Sequence, residues 1–501
     1  MMARAEKMQG LTLAGLLQGY TVAPVLPLAG LALDSREIRP GYLFLACKGS
    51  DHHGLRHLAE AQSRGAVAVV YDPDGAQGYP PVTGLPAIEV ADLGQKAGPL
   101  AARFYGEPST AQQVTAVTGT NGKTSVSLIT AQLLSEAGKS CGVLGTVGFG
   151  AYGKLETPTH TTPDAVNTQR WLARFRDQGL KQVSMEASSH ALEQGRLNGV
   201  RLAVAVFTNL TRDHLDYHGS MQIYGRAKRR LFEMPGLKHA VINLDDEFGR
   251  ELAAGLLPDV ACTGYTLEGR TSSTGQTLRA TNLVLASGGL SFELESDLGR
   301  GHVDSRLLGR FNAQNLMAVM GALLALGLPF KEALASLNRA RTVPGRMECF
   351  GGGAKRPLVV VDYAHTPDAL EKALTAARAH CRGTLWCVFG CGGERDRGKR
   401  SQMGAIAERV ADRVIVTDDN PRREDGDAIV AEIMAGFHSR ERVKVERDRA
   451  KAVALAVQGA AAGDVVLLAG KGHEDYQVVG ERELPYSDRD TAAALLKESR
   501  P

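Results

Sequence analysis

Val114-Thr115-Ala116-Val117-Thr118-Gly119-Thr120-Asn121-Gly122-Lys123-Thr124-Ser125 decides how the rest of the chain is read. Its opening run, Val114 to Val117, is short, apolar and rich in valine, which predicts a buried strand. A glycine-rich turn follows, and an amphipathic helix is predicted to start near Ser125. A strand, such a turn and a helix N-terminus gather backbone N–H groups and the positive end of a helix dipole, an arrangement suited to phosphates. Within Gly119, Thr120, Asn121, Gly122, Lys123, Thr124 and Ser125, Lys123 would meet the β- and γ-phosphates and Thr124 a Mg²⁺ ion. The spacing departs from the usual G-x-x-x-x-G-K-[ST] loop, because Val117 stands where the first glycine belongs.

Outward from this loop the chain alternates apolar strand-like runs with helical stretches. Residues 92–342 hold Val183 to Met185, Ala203 to Phe207 and Ala240 to Asn243 as further strands, the pattern of a parallel, doubly wound sheet, with an antiparallel insertion near Thr277 to Glu295. Before it, residues 1–91 carry shorter runs, Tyr42 to Ala46 and Ala66 to Tyr71, then a Gly/Pro-rich stretch, and read as a small α/β domain. After Val343-Pro344-Gly345 the alternation restarts with Leu358 to Asp362, Leu385 to Phe389, Arg413 to Thr417 and Val465 to Leu468, a Rossmann-like α/β domain over 343–501. Three α/β domains suit 501 residues, at a prior of about 150 residues each.

Composition narrows the classes. With 44% hydrophobic and 23% charged residues and a formal charge of +3, neither a nucleic-acid-binding nor a membrane-binding footprint is expected. The apolar stretch Leu11 to Leu17 is broken by Gln18 and Gly19, and no run approaches a spanning helix, so a soluble cytosolic protein is expected. Seven scattered cysteines without a C-x-x-C pair read as reduced, mostly buried thiols rather than zinc or redox chemistry.

Other polar clusters also follow predicted strands, where open α/β sheets bind ligands. Glu186-Ala187-Ser188-Ser189-His190 offers a carboxylate for a metal, although a glutamate at a strand end also occurs as a solvated loop residue. Asn209 to His218 is dense in His and Asp, suited to a hard cation near phosphates. In the third domain, Phe389 to Asp396, Asp419-Asn420-Pro421-Arg422 and Gly470 to Asp475 each follow a strand and could converge on one sheet edge. Arg395 stands where a third glycine of G-x-G-x-x-G would be required, which argues against a dinucleotide.

The tight G-T-N-G-K-T form resembles the Mur ligases and the related folylpolyglutamate synthases. So do Asp34-Ser35-Arg36, Gly309 to Asn315, Val343 to Glu348, Asp362 to Asp368 and Ser487-Asp488-Arg489, and the ordered set covers nearly the whole chain. The resemblance implies ATP-dependent amide synthesis with Mg²⁺. A precursor carboxylate would become an acyl phosphate, which an amino-acid amine then attacks. It implies Lys123, Glu186, His214 and Lys228 as catalytic, with Thr124, Glu186, His214 and a carbamylated Lys228 around the metal. Asn312, Arg346, Asp362 and His365 would complete the ATP site. Leu33, Ser35, Ser50, Asp51, His52, Asn121, His160, Thr161, Thr162, Ser188, Gln194 and Arg196 match family positions that hold a UDP-linked substrate, though Ser50, Asp51 and His52 depart from the common residues.

Asp419-Asn420-Pro421-Arg422 resembles the recognition motif of the diaminopimelate-adding members of the family, and the resemblance implies that Arg395, Gly470 and Glu474 complete that pocket. The expected substrates are therefore UDP-N-acetylmuramoyl-L-alanyl-D-glutamate, meso-diaminopimelate and ATP, handled by a monomer. Three alternatives stay open: an L-lysine-adding Mur ligase, a folylpolyglutamate synthase, and a nucleotide-hydrolysing switch without an acceptor.

Overall fold

The computed structural model describes residues 11–49, 52–156, 161–271, 275–286, 288–353 and 355–497. Strands β1 (Gly30–Ala32), β2 (Tyr42–Ala46), β3 (Ala66–Tyr71) and β4 (Ala87–Glu89) form a parallel sheet in that order. Along β2, Leu43 and Leu45 join one apolar cluster with Leu13, Leu16 and Leu17, while Phe44 and Ala46 join another on the opposite face. A sheet covered on both faces needs apolar residues at successive positions, which is why the strand reads as an unbroken run.

Strands β5 (Gln113–Thr118), β6 (Cys141–Gly145), β7 (Gly148–Ala151), β8 (Lys154–Glu156), β9 (Gln182–Glu186), β10 (Val204–Phe207), β11 (His239–Asn243) and β12 (Ala261–Thr266) lie in the order β12-β11-β10-β5-β9-β6-β7-β8. The six from β12 to β6 are parallel, and β7 and β8 extend them as antiparallel hairpins. From β5 the chain passes out to β6 and returns to β9, then crosses to β10 on the other side of β5. The winding therefore reverses beside β5, and the C-terminal ends of β9, β5 and β10 border the place where open α/β sheets take ligands.

One face of this sheet buries Val114, Ala116, Val183, Met185, Ala205 and Phe207. Against the other, Ser184 Oγ donates to the Ser127 carbonyl at 2.8 Å, holding the helix Lys123–Glu136 in place. That helix begins at Lys123, and all residues from Val126 to Leu134 are buried. It is not amphipathic as expected, because a helix enclosed on every side has no solvent stripe to keep polar.

Strands β13 (Gln276–Ala286), β14 (Gly289–Ser296) and β15 (Gly299–Ser305) are antiparallel, matching the predicted insertion. Further on, β16 (Glu348–Gly351), β17 (Leu358–Asp362), β18 (Leu385–Phe389), β19 (Arg413–Val416), β20 (Val443–Val445) and β21 (Val465–Ala469) form a sheet in the order β16-β17-β21-β18-β19-β20. All but β16 are parallel. Leu358 and Val360 face one core and Val359 and Val361 the other, the doubly covered pattern again. A hairpin of β22 (Tyr476–Val479) and β23 (Arg482–Pro485) follows. The chain gathers into two units, one of residues up to 278 with 317–329 and the other of residues 279–316 with 330 onward. Among the described residues no helix is long and apolar enough to cross a membrane, and the seven cysteines are free thiols.

Candidate active site

The loop after β5 is shaped by two glycines. Gly119 has φ +150°, and a Cβ there would stand 1.9 Å from Thr208 Oγ1, so only glycine lets β5 and β10 approach so closely. Gly122, at φ +87°, is the N-cap of the helix Lys123–Glu136 and supplies no side-chain cap, which leaves first-turn N–H groups facing the loop. The loop is tied to the segment after β10. Thr120 N donates to Asn209 O at 2.8 Å, Asn121 N to Asn209 Oδ1 at 2.9 Å, and Thr211 N to Thr120 Oγ1 at 3.0 Å.

Two lysines share one acceptor in this loop. Lys123 Nζ donates to the Gly119 carbonyl at 3.0 Å and the Thr120 carbonyl at 2.9 Å, and Lys228 Nζ donates to the same Gly119 oxygen at 2.8 Å. Lys228 is buried on the helix Met221–Arg229, and its ammonium lies 4.3 Å from the centre of the Tyr224 ring one turn earlier. Burial, with Lys123 adding repulsion, holds the Lys228 pKa well below the ordinary lysine value.

Glu186 ends β9 as a buried carboxylate. Thr124 Oγ1 donates to its Oε2 at 2.9 Å and Thr146 N to its Oε1 at 2.6 Å. Burial raises its pKa, with Lys123 and these donors opposing. A Cβ on Gly145 would meet Oε1 at 2.5 Å, so a side chain at the end of β6 would have to displace this carboxylate. Burial likewise lowers the Lys123 pKa, against the attraction of Glu186 and Asp213.

His214, at φ +52°, heads the short helix Leu215–His218. Its ring packs edge-on to His190, centroids 4.8 Å apart, and lies 6.2 Å from Tyr224, whose hydroxyl is 3.1 Å from Thr120 Oγ1. Tyr224 thus touches the phosphate loop, Lys228 and His214 together. Among the described residues no group of three or more His, Cys, Asp and Glu side chains is set to hold a metal. The expected donor set contains only two of those types, Glu186 and His214.

Of the residues expected to hold the UDP-linked substrate, Thr162, Ser188, Gln194 and Arg196 form one hydrogen-bonded chain. Thr162 Oγ1 donates to the Glu186 carbonyl at 3.0 Å and lies 3.5 Å from Ser188 Oγ, which caps the helix Ser189–Glu193. Arg196 donates to the Thr162 carbonyl at 2.9 Å and, through two nitrogens, to Gln194 Oε1. Thr161 meets Thr146 at 3.3 Å. The earlier module is placed differently: Ser35 is buried, its hydroxyl donating to Glu60 at 2.7 Å, Leu33 is half-buried and His52 is exposed. Ser50, Asp51 and His160 lie outside the described residues.

In the second unit the loops after β18, β19 and β21 converge. Asn420 Nδ2 donates to Glu474 Oε2 at 3.0 Å, and Asn420 Oδ1 accepts from Val478 N and Lys471 Nζ, each at 2.9 Å. Arg422 takes φ +52° and donates through Nη1 to the Gly393 carbonyl at 2.8 Å, while its backbone exchanges hydrogen bonds with Val478 and Gly480. Pro421 abuts the same loop, since a Cβ on Gly393 would stand 2.0 Å from its carbonyl oxygen. A Cβ on Gly470, at φ +115°, would stand 3.4 Å from Asp419. Arg395 is exposed beside them.

Beneath these loops Arg400, fully buried, donates to both oxygens of Glu424, to Glu432 and to the Gly392 carbonyl, while Glu424 accepts the Glu394 N–H at 3.0 Å. The expected nucleotide residues of this unit carry structural bonds. Asp362 accepts the N–H groups of Met347 at 2.8 Å and Ala364 at 2.9 Å. Asn312 donates to the Leu308 carbonyl at 2.8 Å. Arg346 stacks on Tyr363, whose carbonyl lies 2.9 Å from His365 Nδ1.

The sequence reading assigned no role to Tyr224, Thr146, Lys471 or Arg400. Tyr224 had a signal, standing one helical turn before Lys228, and so did Lys471, inside a quoted motif. Arg400 had none, because its partners lie 24 and 32 residues away.

Three stretches match family models: residues 27–105 "Mur ligase family, catalytic domain", 117–323 "Mur ligase middle domain" and 345–472 "Mur ligase, glutamate ligase domain". The UDP-N-acetylmuramoyl-L-alanyl-D-glutamate–2,6-diaminopimelate ligase of Alkalilimnicola ehrlichii is 50% identical over 479 residues, covering 94% of this chain and 95% of that protein. The ligase of the same name from Pseudomonas aeruginosa is 50% identical over 466 residues, covering 93% and 94%. A solved structure of a ligase with that name superposes at a TM-score of 0.76, with 35% identity over 97% of this chain and 99% of the other.

Proposed function

Because the chain belongs to the Mur ligase family, we propose that it joins 2,6-diaminopimelate to UDP-N-acetylmuramoyl-L-alanyl-D-glutamate, an ATP-dependent step in the synthesis of peptidoglycan precursors. It is an acid–amino-acid ligase of three α/β domains, for which we take the bounds 1–91, 92–342 and 343–501. The γ-carboxylate of the D-glutamate attacks the γ-phosphate of ATP, giving an acyl phosphate and ADP. An amine of diaminopimelate then attacks the acyl carbon, the new C–N bond forming as the C–O bond to phosphate breaks.

The residues present fit a nucleotide. The glycine-shaped cradle leaves no room for a Cβ at Gly119, and the uncapped helix end gives N–H donors to phosphate oxygens. Phosphoryl transfer asks chiefly for positioning and charge stabilisation. Lys123 supplies a cation, and Asn121, Thr161, Thr162, Ser188, Gln194 and Arg196 orient the carboxylate-bearing substrate. A bound Mg²⁺ would neutralise phosphate charge, and Glu186 and Thr124 fit it, since a cation relieves an enclosed carboxylate. Lys228 fits a metal only as a carbamate. Its depressed pKa supports that reading, because carbamylation consumes the free amine.

The observation that carries the amino-acid assignment is the junction of Asn420, Glu474 and the Arg422 loop at one sheet edge. An arginine can take a carboxylate through two parallel bonds and a glutamate can take an ammonium, the two groups at the distal end of diaminopimelate. The test is an ATP-dependent ligation assay with the UDP-linked dipeptide, comparing meso-diaminopimelate with L-lysine. Diaminopimelate should be the preferred acceptor. A preference for lysine, or phosphate release that ignores the acceptor, would overturn the reading.

A further inference from the structure

Lys471 follows β21 as a completely buried cation. Its ammonium donates to Asn420 Oδ1 at 2.9 Å and to Glu474 Oε2 at 3.1 Å, stands 3.4 Å from Asp419 Oδ1, and lies 5.7 Å from the centre of the Tyr476 ring. Asp419 Oδ1 has no hydrogen-bond partner among the described residues; Lys471 meets its charge through space at 3.4 Å, and the buried Arg449, the other cation near it, is already paired with Asp488 at 2.7 Å. Enclosing an ammonium is costly, and an apolar side chain would fill such a place more cheaply. Here the cation is instead surrounded by three residues that the proposed function gives to the incoming amino acid.

We propose that Lys471 sets the charge balance of the amino-acid site and thereby favours an acceptor whose distal end is zwitterionic over one whose distal end is only cationic. The inference rests on the reading of this site as the diaminopimelate site. Asp419 and Glu474 bring two negative charges, and Lys471 cancels one. The one net negative charge left across Asp419 and Glu474 matches one ammonium, while Arg422 across the loop matches one carboxylate. Without Lys471 the two carboxylates would form a doubly negative pocket. That pocket attracts the lone distal ammonium of L-lysine and repels the carboxylate of diaminopimelate. Lys471 also fixes the Glu474 carboxylate and the Asn420 amide by direct hydrogen bonds, which makes it a positioning residue as well.

The experiment measures kcat/KM for meso-diaminopimelate and for L-lysine at saturating ATP and UDP-linked dipeptide. Wild-type turnover of diaminopimelate tests the underlying reading first and separately. In Lys471→Met the ratio of the two efficiencies should fall by at least about tenfold, with KM for ATP unchanged. Adding Asp419→Asn removes the partner charge too. The double variant should then return the ratio to within about threefold of wild type, an outcome that a merely structural role would not produce. A Lys471→Met ratio within about twofold of wild type overturns the proposal, and so does a double variant that falls as far as the single. If Lys471→Met alone fails to fold, as unpaired buried carboxylates can cause, Asp419→Asn with Lys471 kept decides: it removes one negative charge and should raise the ratio at least about threefold above wild type, and an unchanged or lowered ratio overturns the proposal.

Discussion

Truncating Arg422 to alanine removes a guanidinium from the loop after β19 and leaves the backbone conformation alone. Arginine and alanine both carry a Cβ, so φ +52° is no more strained after the change than before. Nη1 spends one donor on the Gly393 carbonyl at 2.8 Å, and the remaining donors of the fork are what a substrate carboxylate would use. A charge-assisted hydrogen bond contributes about 1.5–3 kcal/mol, so kcat/KM for diaminopimelate should fall roughly 10- to 150-fold. The loss to the fold should be smaller, about 1 kcal/mol, because the side chain is only half-buried and water can reach Gly393 in its place. In a chain of this size that is a Tm change of roughly 2–4 °C or less. Arg422→Lys keeps the charge but not the fork, and should recover only part of the efficiency. The assay is steady-state ligation with the other two substrates saturating, beside a thermal melt. Wild-type efficiency in Arg422→Ala, or an equal loss in the constants for ATP and the UDP-linked dipeptide, would refute the assignment.

Lys123→Ala should eliminate ligation while calorimetric binding of the UDP-linked dipeptide stays nearly unchanged, and equal loss of both would contradict the division of roles. Lys228→Ala should abolish most activity and be partly rescued by short-chain carboxylates, while the wild type should show a lysine carbamate by NMR in carbon-labelled bicarbonate. An unmodified lysine with full activity in bicarbonate-free buffer would end that idea. Glu424 is held down to about 2, chiefly by its side-chain bonds to Arg400. A carboxylate lowered in the fold adds stability above its unfolded value, near about 4.3, and loses it as pH falls toward the folded one. Glu424→Gln should therefore lower Tm by a steady amount above about pH 5, with the gap to wild type closing on acidification. Calorimetry checks this, and a gap that widened in acid would count against it.

The sheets were legible because strands covered on both faces must be apolar at every position. Leu358 to Asp362 and Leu385 to Phe389 appear with the bounds read from sequence. Strand order was not legible, since nothing local says that β9 lies between β5 and β6, or β21 between β17 and β18. Periodicity failed for the helix Lys123–Glu136, where burial is uniform. Site loops were visible as polar clusters after strands, but the partners of each side chain were not. Ser35 was read as a substrate contact, and nothing local showed that its hydroxyl pairs with Glu60, 25 residues on. Arg400 carried no sequence signal and is enclosed between Glu424 and Glu432. Long-range pairing decides both cases, and a single sequence does not record it.

Nine successive enclosed positions on the helix behind the phosphate loop bear on how this site can change over time. A helix with a wet face tolerates drift there, so its sequence can wander while its packing stays put. This one has no such face, and nearly every replacement between Val126 and Leu134 must be matched by a neighbour. The loop is therefore inherited, and can be transplanted into another scaffold, only together with the shell of sheet and helices around it.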